Sequence, residues 1–153
     1  MNLLITGALG HIGSRFIHSL KPGDFDKVVL IDNMSAQRYA SLFNLPEGVP
    51  FEFIQDDICT ADLEGHFKDI DVVLHLAAIT DAAGSFDIQD QVELVNYQGT
   101  ERVARACEAT GSRLIFLSTT SVYGVQEGEV DEECSIDQLQ PQSPYADTKL
   151  KSE

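Results

Sequence analysis

Five short apolar runs, separated by amphipathic stretches, set what this chain can fold into. They are Leu3–Thr6, Lys27–Asp32, Pro50–Gln55, Asp71–Leu76 and Arg113–Ser118, each rich in Val, Ile, Leu or Phe at consecutive positions. A strand covered on one face alternates apolar with polar residues, whereas a strand covered on both faces need not. Uninterrupted runs therefore point to parallel strands lying between two layers. The stretches between them suit helices. His11–Leu20 ends at Lys21-Pro22-Gly23, a strong stop. Within Asp87–Thr110, the apolar or small residues Ile88, Val92, Val95, Gly99, Val103 and Ala106 step by three and four along one face. Gly111 follows as a C-terminal stop. Strand–helix–strand at this rhythm reads as right-handed βαβ units in a doubly wound α/β sheet.

Composition narrows the partners. With 153 residues and 43% apolar content, the chain fits a single domain with its own core. Asp and Glu number 25 against 10 Lys and Arg, a formal charge of −15. Nucleic-acid and anionic-membrane surfaces need clustered cations, so neither is expected as a partner. No run of 18 apolar residues occurs, and Met1-Asn2-Leu3 lacks a basic leader, so a cytoplasmic location is expected. Cys59, Cys107 and Cys134 are widely spaced and form no C-x-x-C, which fits a reducing compartment. His11, His18, His66 and His75 lie in different elements with no ligand spacing, so no metal site is expected. His75, ending the fourth run, reads as a packed core residue. Leu114–Thr148 contains no Lys or Arg, and its cluster Glu127, Glu129, Asp131, Glu132, Glu133 and Asp137 reads as a solvated loop.

The first run ends in Thr6-Gly7-Ala8-Leu9-Gly10-His11-Ile12-Gly13. A tight turn after a strand suits a residue free to take positive φ, here Gly7. Gly10 lets a pyrophosphate approach backbone N–H groups where a helix begins. Gly13 permits close helix packing. Asp32 closes the second run 19 residues past Gly13, near the spacing at which a carboxylate accepts hydrogen bonds from an adenosine ribose. That carboxylate would repel a 2′-phosphate, so NAD is favoured over NADP. Late in the chain, Ser143-Pro144 is a good helix start, and it sets Tyr145 and Lys149 at i and i+4 on one face. A lysine cation near a phenol favours the phenolate, a general base for a hydroxyl.

At this point the chain resembles the extended short-chain dehydrogenase/reductase family, the nucleotide-sugar epimerases and dehydratases. Thr6–Gly13 matches T-G-x-x-G-x-x-G. Asp56-Asp57-Ile58 resembles an adenine-contacting element, Leu76-Ala77-Ala78 the small-residue turn after the fourth strand, and Asn96-x-x-Gly99-Thr100 an N-x-x-G-T element. Ser118-Thr119-Thr120-Ser121-Val122-Tyr123-Gly124 and Tyr145-x-x-x-Lys149 complete the series. The resemblance implies a Rossmann-type sheet of order 3-2-1-4-5 with helices on both faces. It implies a cofactor site at Gly7, Gly10, His11, Ile12, Gly13, Asp32, Asn33, Asp57, Ile58, Leu76, Ala77, Ala78 and Asn96, joined by Tyr145 and Lys149. Asp57 would meet the adenine amine and Ile58 cover the ring. Thr119, Tyr145 and Lys149 would be catalytic, with Thr119 hydrogen-bonded to the reacting oxygen.

The substrate class implied is a nucleotide-sugar, and a homodimer would pair through Asp87–Thr110 and the helix after Ser143. One departure discriminates: the dehydratases carry Asp-Glu directly after the threonine, where this chain has Thr120 and Ser121. Those hydroxyls cannot eliminate water near neutral pH, which leaves an epimerase or a simple dehydrogenase. Residues 1–153 are expected to be the cofactor-binding domain, cut within its catalytic helix and lacking the substrate domain. Two alternatives stay open: an NAD-binding or interaction domain without catalysis, and a hydroxysteroid or small-alcohol dehydrogenase of the same family.

Overall fold

A computed structural model describes residues 1–126 and 128–153; Glu127, one of the acidic cluster, lies outside the described residues. Five strands form: β1 Asn2–Thr6, β2 Lys27–Asp32, β3 Phe51–Gln55, β4 Val72–His75 and β5 Arg113–Phe116. All pair in parallel, in the order β3-β2-β1-β4-β5. This is the expected 3-2-1-4-5 sheet. Each strand matches its apolar run to within two residues at either end.

The helices are α1 His11–Ile17, α2 Leu63–Phe67, α3 Gln89–Val92, α4 Gly99–Thr110 and α5 Pro144–Ser152. Alternation along β1 sorts α1, α2 and α4 into two layers. Leu3 and Ile5 pack with Ile17 of α1 and Leu20, while Leu4 packs with Leu63 and Phe67 of α2 and Val103, Ala106 and Cys107 of α4. Burying both faces is why four consecutive residues of β2, Val28–Ile31, are inaccessible. The outer strands β3 and β5 are only half covered.

Three elements depart from the sequence reading. The regular helix of α1 stops at Ile17, yet Ser19 and Leu20 N–H groups donate to Phe16 and Ile17 carbonyls at 2.9 and 3.4 Å. Bonds of this i→i+3 kind tighten a last turn toward 3₁₀ before Pro22. Helix α2 was not expected; Asp62 caps it by accepting from the Gly65 N–H. The stretch expected as one helix over Asp87–Thr110 begins at Gln89 and contains a π turn, Glu93–Gln98, between α3 and α4.

The chain divides into two compact units, Met1–Ala77 with Gly99–Leu117 and Ala78–Gln98 with Ser118–Glu153. The first holds the whole sheet with α1, α2 and α4. In the second, α5 packs on α3, on the π turn and on a 3₁₀ turn, Thr120–Tyr123. No helix among the described residues is long and apolar enough to cross a membrane.

Candidate active site

The first unit places the glycine loop between β1 and α1. Gly7 has φ +64°, and a Cβ there would lie 2.6 Å from both N and Cα of Ala77. Only glycine meets both conditions. Gly13 is equally enclosed, since its Cβ would sit 2.4 Å from the Ala8 carbonyl oxygen. Gly10 differs. A Cβ there would meet only the Gly7 carbonyl, at 3.2 Å, so the space before it is open. The first helical bond runs from Ser14 N–H to the Gly10 carbonyl at 2.8 Å. The N–H groups of His11, Ile12 and Gly13 precede it and have no partner in the helix ladder. His11 and Ile12 side chains are exposed.

Asp32 is tied at both oxygens. One accepts from the Leu9 N–H at 3.0 Å and the other from the Met34 N–H at 2.9 Å. A carboxylate has about four acceptor positions, so each oxygen retains one more. Asp57 accepts from the Asn33 amide at 3.0 Å and the Cys59 N–H at 2.8 Å. Partial burial raises its pKa, but these hydrogen bonds outweigh that and leave it below the ordinary carboxylate value. Ile58 is buried in the core with Leu4 and Val29, so its side chain anchors this turn from beneath. His75 is 2% exposed. It hydrogen-bonds Thr6 at 2.6 Å and Thr100 at 3.0 Å and stacks on Phe116, the packed role expected of it. Thr6 also accepts from the Ala77 N–H at 3.4 Å, which fixes the small-residue turn after Leu76.

The second unit holds the three residues expected to be catalytic. Ser143 caps α5, accepting from the Ala146 N–H at 3.1 Å, with Pro144 at the first position. Tyr145 and Lys149 follow one turn apart. The Tyr145 N–H donates to the Ser85 hydroxyl at 3.4 Å. Lys149 is 6% exposed, and burial pushes its pKa down to about 8. Thr119 caps the turn Thr120–Tyr123, against which α5 packs, and accepts from the Ser121 N–H at 3.2 Å. It lines a recess of about 490 Å³ with Tyr123, Glu132 and Cys134. Asn96, buried within the π turn, brackets one residue: its oxygen accepts from the Ile79 N–H at 2.8 Å and its NH₂ donates to the Ile79 carbonyl at 2.9 Å. Ala78 lies one residue before that bracketed position.

The sequence model of the NAD dependent epimerase/dehydratase family matches residues 3–153. The chain belongs to this family. A Bacillus subtilis protein described as an uncharacterized UDP-glucose epimerase is 36% identical over 160 residues, covering all of this chain and 50% of that protein. Among solved structures, the UDP-N-acetylglucosamine 4-epimerase of Methanobrevibacter ruminantium M1 superimposes with a TM-score of 0.88 at 34% identity, over 99% of this chain and 48% of that one. The UDP-glucuronic acid 4-epimerase of Bacillus cereus, in complex with UDP-glucuronic acid and NAD, gives 0.85 at 35% identity, over 99% and 50%. The chain spans half or less of the length of the curated relatives it matches.

Sequence reasoning passed over three groups, two at the turn Asp56–Ala61 and one at the glycine loop. His66 on α2 pairs with Asp56 at 2.8 Å, holding that carboxyl below its ordinary pKa. Arg102 on α4 donates to the Ile58 and Ala61 carbonyls. Ser41 donates to the Leu9 carbonyl at 3.1 Å. No spacing rule signals Arg102 or Ser41, whose partners are distant backbone carbonyls, or a His–Asp pair ten residues apart.

Proposed function

We propose that this chain carries the cofactor-binding and hydride-transfer residues of an NAD-dependent nucleotide-sugar epimerase. The observation that carries the reading is the glycine loop: Cβ positions at Gly7 and Gly13 are filled by backbone, and the one at Gly10 meets only the Gly7 carbonyl, at 3.2 Å. A loop so shaped suits a pyrophosphate, which needs close backbone approach and free N–H groups. Asp32 is read as the ribose ligand and as the group that rejects a 2′-phosphate. Gly10, His11, Ile12 and Gly13 would face the pyrophosphate, Asn33 and Asp57 the adenosine, and Leu76, Ala77 and Ala78 the backbone side of the cofactor.

NAD, when bound, accepts a hydride from a sugar carbon and returns it. The chain's own residues manage the proton. Tyr145 takes it from the sugar hydroxyl, and Thr119 holds that oxygen by a hydrogen bond. Lys149 supplies a cation one turn further along the same helix. Burial with a pKa near 8 puts that cation close to its titration point at working pH. Thr120 and Ser121 offer no acid–base pair beside Thr119, which favours epimerisation over dehydration.

Calorimetric titration of the chain tests the cofactor half. NAD should bind and NADP should bind at least tenfold more weakly; equal affinities would remove Asp32 from its role. In the whole protein, Tyr145→Phe should abolish turnover while leaving NAD affinity within about twofold. Retained turnover sinks the general-base assignment.

A further inference from the structure

We infer that Arg102 is a positioning residue that sets the adenine-facing turn Asp57–Ala61, and through it the selection of adenine; this rests on the cofactor reading above. The turn is closed on one side by its own backbone. Thr60 and Ala61 N–H groups both donate to the Asp57 carbonyl, at 2.9 and 2.7 Å, and Cys59 N–H donates to the Asp57 carboxylate. Its other side is held from α4. Arg102 Nε donates to the Ile58 carbonyl at 3.0 Å, and its Nη2 donates to the Ala61 carbonyl at 2.8 Å. The two acceptors lie three residues apart, on either side of Cys59 and Thr60.

Only a guanidinium presents two rigidly spaced N–H groups to such a pair. An ammonium on a flexible stem serves as a point donor and does not impose the same geometry. Beneath this fork, Ile58 and Ala61 pack against Val103 and Ala106 of the same helix, so apolar contact fixes the depth of the turn and Arg102 its lateral position. The far edge is fixed by the Asn33 amide on Asp57. The Asp57 carboxylate is thus set between Asn33 on one side and a turn tied to α4 on the other.

The test uses two dinucleotides, NAD and its hypoxanthine analogue, which has a ring carbonyl where adenine has its amine. Arg102→Met and Arg102→Lys are compared with the unaltered chain, the lysine variant serving also if the methionine variant does not fold. The unaltered chain should prefer NAD. Arg102→Met should bind NAD about tenfold more weakly, with the preference collapsing toward unity, and Arg102→Lys should fall between. A purely structural role would lower melting temperature but leave the preference ratio intact, and that result overturns the proposal. Equal binding of both dinucleotides by the unaltered chain overturns it too, together with the adenine contact of Asp57. Hydrogen exchange at the Cys59, Thr60 and Ala61 amides needs no ligand and should quicken about tenfold in Arg102→Met. Unchanged exchange overturns the positioning role even where NAD binding itself fails, so the two readings fail separately.

Discussion

At the scale of single residues, the chain commits itself most firmly where no side chain fits. Gly13→Ala must displace the Ala8 carbonyl, a backbone atom with little freedom, and should cost roughly 2–3 kcal/mol, as overpacking does. Urea unfolding would read that loss, and NAD affinity should fall with it. Lys149 makes a different kind of commitment. Its folded pKa, about 8, lies below the ordinary 10.5. Between those values the unfolded chain binds more protons, so this residue's contribution to stability rises with pH across that window. Below pH 8 the full cost of burying the cation is present. The thiols of Cys59 and Cys107, pushed up to about 11 by burial, act oppositely, and stability falls as pH rises from 9 toward 11. The difference between unfolding curves of the unaltered chain and Lys149→Met isolates the lysine. It should be largest and level below about pH 7, shrink as pH rises through the window from 8 to 10.5, and level off again near pH 11; a flat difference would refute the shifted value.

At the scale of elements, local chemistry and packing divide the work. Helix α5 owes its start to the Ser143 hydroxyl, and Ser143→Ala should lower stability by about 1 kcal/mol, measured by thermal unfolding. This start was readable because caps act within three residues of sequence. The inner strands were readable because burial on both faces leaves an unbroken apolar run, as in Val28–Ile31; the half-covered β3 and β5 were readable from their Phe, Ile and Leu content. Helix α2 was not, since five residues hold barely one period, although Asp62 before Leu63 and Phe67 carries a faint signal. The π turn Glu93–Gln98 was also invisible: Val92, Val95, Gly99 and Val103 keep helical spacing whether or not one turn is widened. What selects the wider turn is not a sequence period, and Asn96 within it is committed to the Ile79 backbone, a partner 17 residues away. In the candidate site, Gly7 and Gly13 were legible for the same reason as the caps. Arg102 and His66 were not: Arg102 bonds backbone carbonyls of another element, which have no side-chain signature, and His66 finds the Asp56 carboxylate ten residues back, beyond any helical spacing.

At the scale of the whole molecule, charge is unevenly placed. The second unit carries 12 acidic residues against Lys149 and Lys151, counting Glu127, and the first unit 13 against eight. A chain of net −15 repels any anion at long range, and added salt screens that repulsion. NAD should therefore bind more tightly as NaCl rises from about 10 to 200 mM, the reverse of a cationic site; calorimetry across that range checks it. The sheet order also governs how the fold is reached. β1, made before the other four strands, pairs with β2 across 25 residues, Asn2 to Lys27, but with β4 across 69, Leu3 to Val72. During synthesis the glycine loop can thus find one neighbour early. The other, whose Ala77 closes over Gly7, arrives some fifty residues later. The loop is completed only when that longer closure is made, so its shape records a late event in folding, and such non-local parallel pairing is intrinsically slow.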